Sequence, residues 1–313
     1  MDFKEKYDAA LGWLFNQFPS YQVVGDRAYK PGVETMGILD ESLGHPHRQY
    51  PSIHVAGTTG KGSVSSMMAA ALASCGLKVG LYTSPHLTDF RERMKIVSIP
   101  EGGASPQCRM ISETAVMEFL DRMKPVFDRE SPSFFEITTA MAFEFFAREK
   151  VDIAVIETGL GGRLDSTNII TPVVSVITNI GLEHCEMLGY TLEEIAGEKA
   201  GIIKPGVPAV IGEFTPETRP VFERKAAETG SPLSFAAGCE PWVDFHSLDL
   251  PGDYQERNVR TVSAAAAALG ISDREAFCEG VRRAARATGL HGRWETLREA
   301  GGGKAKVICD TGH

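Results

Sequence analysis

No apolar run in the 313 residues approaches the ~18 needed to cross a membrane, so no membrane partner is expected. The opening Met-Asp-Phe-Lys-Glu-Lys-Tyr mixes acids and bases where a secretory signal would place a basic start and an apolar core. Cysteine is sparse: Cys75, Cys108, Cys185, Cys239, Cys278 and Cys309 are scattered without a Cys-x-x-Cys pair. That excludes a zinc knuckle and a disulfide framework and fits a reducing cytoplasm. Positive charge is also short, with 32 Lys and Arg against 41 Asp and Glu, a net charge of −9 and no long basic run. Nucleic acid is therefore not an expected partner, because its binding needs clustered phosphate-neutralising side chains. A local backbone site remains able to hold an anion. Internal repeats and low-complexity tracts are lacking as well.

What is present is a globular balance, 43% apolar and 23% charged residues. Phe3, Tyr7, Leu11, Leu14, Phe15 and Phe18 fall at helical spacing and predict an opening helix over 3–18. Residues 25–51 read as loop with one short helix near 33–43. Apolar runs at 52–56, 78–83, 151–157, 173–178 and 208–212 then alternate with helical segments near 63–75, 111–124, 135–149, 191–200 and 217–229. This alternation predicts an α/β fold, a mostly parallel sheet flanked by helices on both faces. Alanine-rich 256–269 and 273–287 predict two more helices, and 288–293 a boundary. Residues 294–298 and 305–310 read as strands joined by a glycine-rich turn at 301–303. Since a two-stranded hairpin is marginal alone, the expected division is a main domain over 1–293 and, over 294–313, the first hairpin of a further domain whose remainder is absent from the sequence.

The segment Gly57-Thr58-Thr59-Gly60-Lys61-Gly62-Ser63 follows the strand at 52–56 and opens a helix. In that setting loop N–H groups wrap phosphate oxygens and the lysine adds a point charge for the outer phosphates. Its spacing departs from G-x-x-x-x-G-K-[ST], because Gly62 separates Lys61 from Ser63 and the leading glycine is closer. A plain glycine turn is the alternative. Glu157 ends an apolar strand before a glycine-rich turn, where strand ends meet the ligand crevice of open α/β sheets. A carboxylate there suits magnesium, which takes one or two protein oxygens plus phosphates and waters; a capped strand-end acid is the alternative. Composition alone makes Lys199, on the charged stretch 194–199, part of a solvated face, and a Phe134–Phe135 pair at a helix start most often belongs to a core.

The phosphate loop and its flanks resemble the folylpolyglutamate synthase/dihydrofolate synthase family of the Mur ligase superfamily, whose loop reads G-T-[NT]-G-K-G-[ST]. Thr83-Ser84-Pro85-His86-Leu87, Arg91-Glu92-Arg93, Ser133-Phe134-Phe135-Glu136, the run from Glu157 to Asp165, and Glu198-Lys199-Ala200-Gly201 are similar to that family's segments, in its order. The resemblance implies a P-loop, Mur-ligase-like ATPase domain over 1–293 and the start of a truncated C-terminal α/β ligase domain. It implies ATP-dependent amide formation in folate biosynthesis: the carboxylate of dihydropteroate or a folate takes the γ-phosphoryl group, and the amine of L-glutamate displaces phosphate from the acyl phosphate. No covalent protein nucleophile is needed.

Residue by residue, the resemblance implies ATP contacts from Gly57 to Ser63 and from Asn258, Arg293, Asp310 and His313. It assigns magnesium to Ser84, Glu157 and His184. Ser63 stays open as the hydroxyl ligand instead of Ser84, and imidazole is softer than magnesium prefers, so a structural histidine is the alternative for His184. Lys199 would be carbamylated by carbon dioxide beside a second magnesium, completing a catalytic set of Lys61, Glu157, His184 and Lys199. Phe135 would stack on the pterin ring, with Ser133, Asp165 and Ser166 in the same pocket; a capping acid before Ser166-Thr167-Asn168 is the alternative for Asp165. Ser166 stands where relatives often have Ala. The family's D-x-[AG]-H-N-P segment reads Asp310-Thr311-Gly312-His313 and stops, so the chain is expected to bind nucleotide but ligate weakly or not at all. Two rivals stand beside this reading. One is a muramyl-peptide-type ligase, for whose uridine-nucleotide domain the 56 residues before Gly57 are too few. The other is a non-catalytic nucleotide-binding module. A monomer is expected.

Overall fold

The computed structural model describes residues 2–19, 25, 30, 32–298 and 305–311. Its centre is an eight-stranded sheet built from β1 (Ser52–Ala56), β2 (Val79–Tyr82), β3 (Met94–Ser98), β4 (Gln107–Met110), β5 (Ile153–Glu157), β6 (Val174–Ile177), β7 (Ala209–Ile211) and β8 (Leu233–Phe235), in the order β4-β3-β2-β5-β1-β6-β7-β8. From β2 to β8 the ladders are parallel, which agrees with the sequence. Strands β3 and β4 form an antiparallel arm that the sequence reading did not contain, nor did it contain β8. The reason is local. Strand β4, Gln-Cys-Arg-Met, is polar and half open to solvent, and β8 has three residues, so neither makes an apolar run. Strands β1, β2, β5, β6 and β7 are buried at every position, as parallel strands covered on both faces must be.

Side-chain alternation along the strands divides the core. Val55 and Val155 face helices Lys61–Ser74, Gln255–Ala268 and Arg274–Arg282. Ala154 and Ile156 face helices Phe3–Gln17, Glu113–Glu130 and Phe134–Arg148. Helix Lys61–Ser74 is buried all round, from Gly62 to Ala73, and its alanines let neighbours approach closely: a Cβ on Gly280 would stand 2.5 Å from the Ala70 carbonyl oxygen. The predicted helix 273–287 is broken at Arg283 into Arg274–Arg282 and Ala284–Thr288. Strands β9 (Glu295–Arg298) and β10 (Val307–Cys309) form a separate antiparallel pair; the turn expected at 301–303 lies outside the described residues. Among the described residues no helix is long and apolar enough to cross a membrane, and the six cysteines are free thiols.

The parallel register decides where chemistry can occur. Val55 pairs with Glu157 and Ala56 with Ile177. The segments that leave β1, β5 and β6 therefore emerge side by side at the carboxyl edge of the sheet, where open α/β folds bind ligands.

Candidate active site

The loop after β1 is held by the segment after β6. Thr58 and Thr59 donate their N–H groups to the Asn179 carbonyl and Oδ1, at 3.1 and 2.9 Å. Thr178 Oγ1 donates to the Thr59 carbonyl at 2.5 Å, and Gly181 N donates to Thr58 Oγ1 at 3.0 Å. The sequence reading passed over Thr178 and Asn179, although the switch from an apolar run to Thr-Asn at a strand end is the same signal that exposed Glu157. Gly60 takes φ 79° as helix Lys61–Ser74 begins, and Gly57 takes φ 151°. A Cβ on Gly57 would stand 1.8 Å from Thr178 Oγ1. Gly57→Ala is therefore expected to displace the loop, weaken ADP binding by about tenfold or more, and cost about 1–3 kcal/mol of stability; titration calorimetry and thermal melting read both.

Two ammonium groups converge on one carbonyl oxygen, that of Gly57: Lys61 Nζ at 2.8 Å and Lys199 Nζ at 3.0 Å. Lys61 also reaches the Thr58 carbonyl at 3.1 Å. Lys199 is 1% exposed and paired with Glu183 Oε1 at 2.5 Å, which overturns its placement on a solvated face. Helix Leu192–Ala200 turns Ile195, Ala196, Lys199 and Ala200 inward, so its charged character resides in the other face. Burial, then the neighbouring Lys61 charge, pull the Lys199 pKa down to about 8 against the attraction of Glu183. Burial raises the Glu183 carboxyl, but Lys199 and Lys61 more than offset it and hold it below the usual range. Glu183 was missed in the sequence because nothing local marks it; its partner is sixteen residues away in the chain.

Glu157 is 2% exposed, and its Oε2 accepts from Ser84 N at 3.3 Å. Burial pushes its pKa up to about 7 even with Lys61, Arg293 and Arg93 drawing it down. A Cβ on Gly62 would lie 3.4 Å from Arg293 Nη2 and 3.8 Å from Glu157 Oε2, so Gly62, Glu157 and Arg293 share one space. Ser63 Oγ and Thr158 Oγ1 are buried without a hydrogen-bond partner among the described residues. A buried carboxylate and an unpartnered serine hydroxyl on the adjoining loop are oxygen donors of the kind magnesium takes. Both candidate hydroxyls, Ser63 and Ser84, remain. His184 has left-handed backbone (φ 45°) at the start of helix Cys185–Leu188, next to Glu183. Among the described residues no three His, Cys, Asp or Glu side chains are grouped to hold a metal by themselves.

Asn258 faces the loop, its Oδ1 only 2.5 Å from where a Cβ on Gly60 would sit, while its Nδ2 donates to Gln255 Oε1 at 2.7 Å. Asp310 Oδ1 accepts from Trp294 N at 3.0 Å and ties the two strands of the hairpin together. His313 lies outside the described residues.

The expected pterin residues separate. Phe134 is core, ring-stacked on Phe15 at 5.5 Å with the Arg93 guanidinium over it at 5.2 Å. Phe135 is half-buried, 5.8 Å from the Tyr82 ring, and a Cβ on Gly159 would stand 2.5 Å from its Cζ. It therefore lines the segment that follows Glu157. Ser133 instead caps helix Phe134–Arg148 in a reciprocal pair with Glu136. Asp165 takes the capping alternative: Oδ2 accepts from Gly159 N and Leu160 N, each at 2.9 Å, and Oδ1 from Thr167 N and Thr167 Oγ1. Four donors occupy its acceptor sites. Ser166 is 7% exposed inside the short helix Ser166–Ile169. Arg93, to which the sequence reading gave no role of its own, is buried and donates Nε–H to His86 Nδ1 at 2.8 Å.

Residues 55–211 match the model of the Mur ligase middle domain. The chain is 41% identical over 233 residues to a dihydrofolate synthase/folylpolyglutamate synthase of Bacillus subtilis, covering 72% of this chain and 51% of that protein. Its structure is similar to that of a Thermotoga maritima folylpolyglutamate synthase (TM-score 0.80, 34% identity, 100% of this chain, 72% of the other). It is similar also to a folylpolyglutamate synthase complex with AMPPCP and folate (TM-score 0.78, 31% identity, 98% and 77%). The chain spans about half the length of the first curated relatives it matches.

Proposed function

Since this chain belongs to the Mur ligase family and, within it, to the folylpolyglutamate synthases, we propose that it supplies the nucleotide-binding part of an ATP-dependent ligase that joins L-glutamate to dihydropteroate or a folate. One observation carries the reading. Phe135 packs against Gly159, two residues beyond Glu157, so an aromatic wall begins where the phosphate loop and the buried carboxylate meet.

In this reading the loop amides and Lys61 take the phosphates. Lys61 gives up the carbonyls of Gly57 and Thr58 for phosphate oxygens, and Asn258 and Arg293 border the same nucleotide. Glu157, with Ser84 or Ser63 and with His184, would hold magnesium, which when bound neutralises charge on the transferring phosphoryl group. Phe135 fixes the pterin so that the substrate carboxylate faces the γ-phosphate, and the glutamate amine then displaces phosphate from the acyl phosphate. Lys199, with its lowered pKa, exposes a larger fraction of free amine to carbon dioxide than an ordinary lysine, which supports its carbamylation once Glu183 lets go. We place the boundary between this unit and the hairpin carrying Asp310 at residue 293.

The test is ADP release with dihydropteroate or tetrahydrofolate and glutamate, paired with direct binding. Phe135→Ala is expected to weaken dihydropteroate binding by about tenfold, the value of a stacking contact, with ADP affinity unchanged. Unaltered dihydropteroate affinity would return Phe135 to a packing role.

A further inference from the structure

His54 sits in the middle of β1, a central strand of the sheet, with 0% exposure. Its neighbours Ile53 and Val55 are the apolar residues such a strand ordinarily contains, and an imidazole there must find polar partners or carry the cost of burying its nitrogens. It finds one. His54 Nε2 lies 2.8 Å from Thr167 Oγ1, 113 residues along the chain. The direction of that bond follows from proton counting. A hydroxyl has one proton, and the Thr167 proton is donated to Asp165 Oδ1. Burial raises the Asp165 carboxyl, but both of its oxygens face two donors each, an arrangement that suits the ionised form with no proton to return. Thr167 Oγ1 must therefore accept from His54, which makes His54 the Nε2–H tautomer. Its Nδ1 is then a bare lone pair, and that atom is buried without a partner among the described residues. Burial, with the Lys204 charge, pushes the imidazole pKa down to about 3, so the ring stays neutral.

We infer that His54 is a positioning residue: by donating Nε2–H to Thr167 it commits the threonine hydroxyl to Asp165, and Asp165 thereby sets the Gly159–Leu160 backbone against which Phe135 packs. The chain of bonds runs from β1 to the segment after β5, and from there to the aromatic wall. It connects the strand that carries the phosphate loop with the wall assigned above to the pterin, and the part of the inference that concerns ligand binding rests on that assignment. An apolar residue at 54 would leave the Thr167 oxygen without its donor and weaken the hydroxyl's bond to Asp165 Oδ1, leaving Thr167 N as the sure donor to that oxygen.

The experiment has a spectroscopic arm and a binding arm, both on the full chain. Long-range 15N–1H spectra of histidine-labelled protein should show His54 as the Nε2–H tautomer, unchanged between pH 5 and pH 8. Thr167→Val keeps the shape and removes the hydroxyl; it should shift the Gly159 and Leu160 amide resonances and weaken dihydropteroate binding about tenfold, with ADP affinity within twofold of wild type. Thr167→Ser should restore both. An Nδ1–H tautomer at His54, or Gly159 and Leu160 amides that do not move in Thr167→Val, would overturn the relay. The tautomer in the wild-type protein decides the case even if Thr167→Val fails to fold. If the wild type does not bind dihydropteroate, the pterin reading of the wall fails, while the tautomer and amide shifts still judge the relay.

Discussion

Glu157→Gln is expected to weaken magnesium-dependent ATP binding and, at pH 8, to raise the melting temperature of the ligand-free protein. The carboxyl is buried and its pKa stands at about 7 against an ordinary 4.5, a difference worth on the order of 3 kcal/mol. The sign follows from which state ionises first. The unfolded chain loses this proton near the ordinary value and the folded chain only near 7, so the associated stability is present below pH 4.5, drains as pH rises between the two values, and is gone above the higher one. Glutamine never ionises and keeps an oxygen for the Ser84 N–H. The variant should therefore melt about 5 °C higher than wild type at pH 8, with the gap closing toward pH 5. Magnesium with nucleotide should narrow the gap at pH 8 by stabilising wild type alone. A variant that melts at or below the wild-type temperature at pH 8 would show that Glu157 is compensated without a ligand, and that its burial does not mark a cation site.

Lys61→Ala is expected to have the largest effect on nucleotide. Its ammonium now rests on the Gly57 and Thr58 carbonyls, contacts with neutral acceptors that a phosphate oxygen can replace with stronger, charge-assisted ones. Loss of that charge should weaken ATP binding strongly and lower turnover by on the order of 10²–10³, the usual cost of removing one preorganised donor from a transition state. A second readout separates this from loop collapse. After burial, Lys61 is the largest influence lowering the Lys199 pKa from 10.5 to about 8, so its removal should return Lys199 toward the ordinary value, measurable by carbon NMR of reductively methylated lysines. Unchanged ATP and ADP affinity in calorimetry would sink the assignment of the loop.

The strand–loop–helix around residues 52–74 was legible because its cues are local: a five-residue strand-like run, three closely spaced glycines, and a lysine within the loop. The same holds for Glu157, a charge at the end of an apolar strand. Lys199 was not legible as a buried residue, since a charged helix reads alike whether its lysine faces water or the underside of a loop 142 residues earlier. Ser133 and Asp165 show the converse. Each sits in a segment similar to a family motif, yet each is occupied by backbone donors at a helix start; capping and ligand binding use the same residue types, and only coordinates tell which donor arrived first.

By itself the sequence determined the alternation of strands and helices, the phosphate loop and the acid at the end of β5, because helical and strand periods and glycine backbone freedom are properties of neighbouring residues. Tertiary structure alone decided that the sheet acquires an antiparallel arm, that Lys61 and Lys199 meet at the Gly57 carbonyl, that Phe135 packs against Gly159, and that His54 reaches Asp165 through Thr167. Those contacts join residues far apart in the chain. They form through strand register and packing, and a hydrogen bond between distant side chains leaves no periodic trace in either segment.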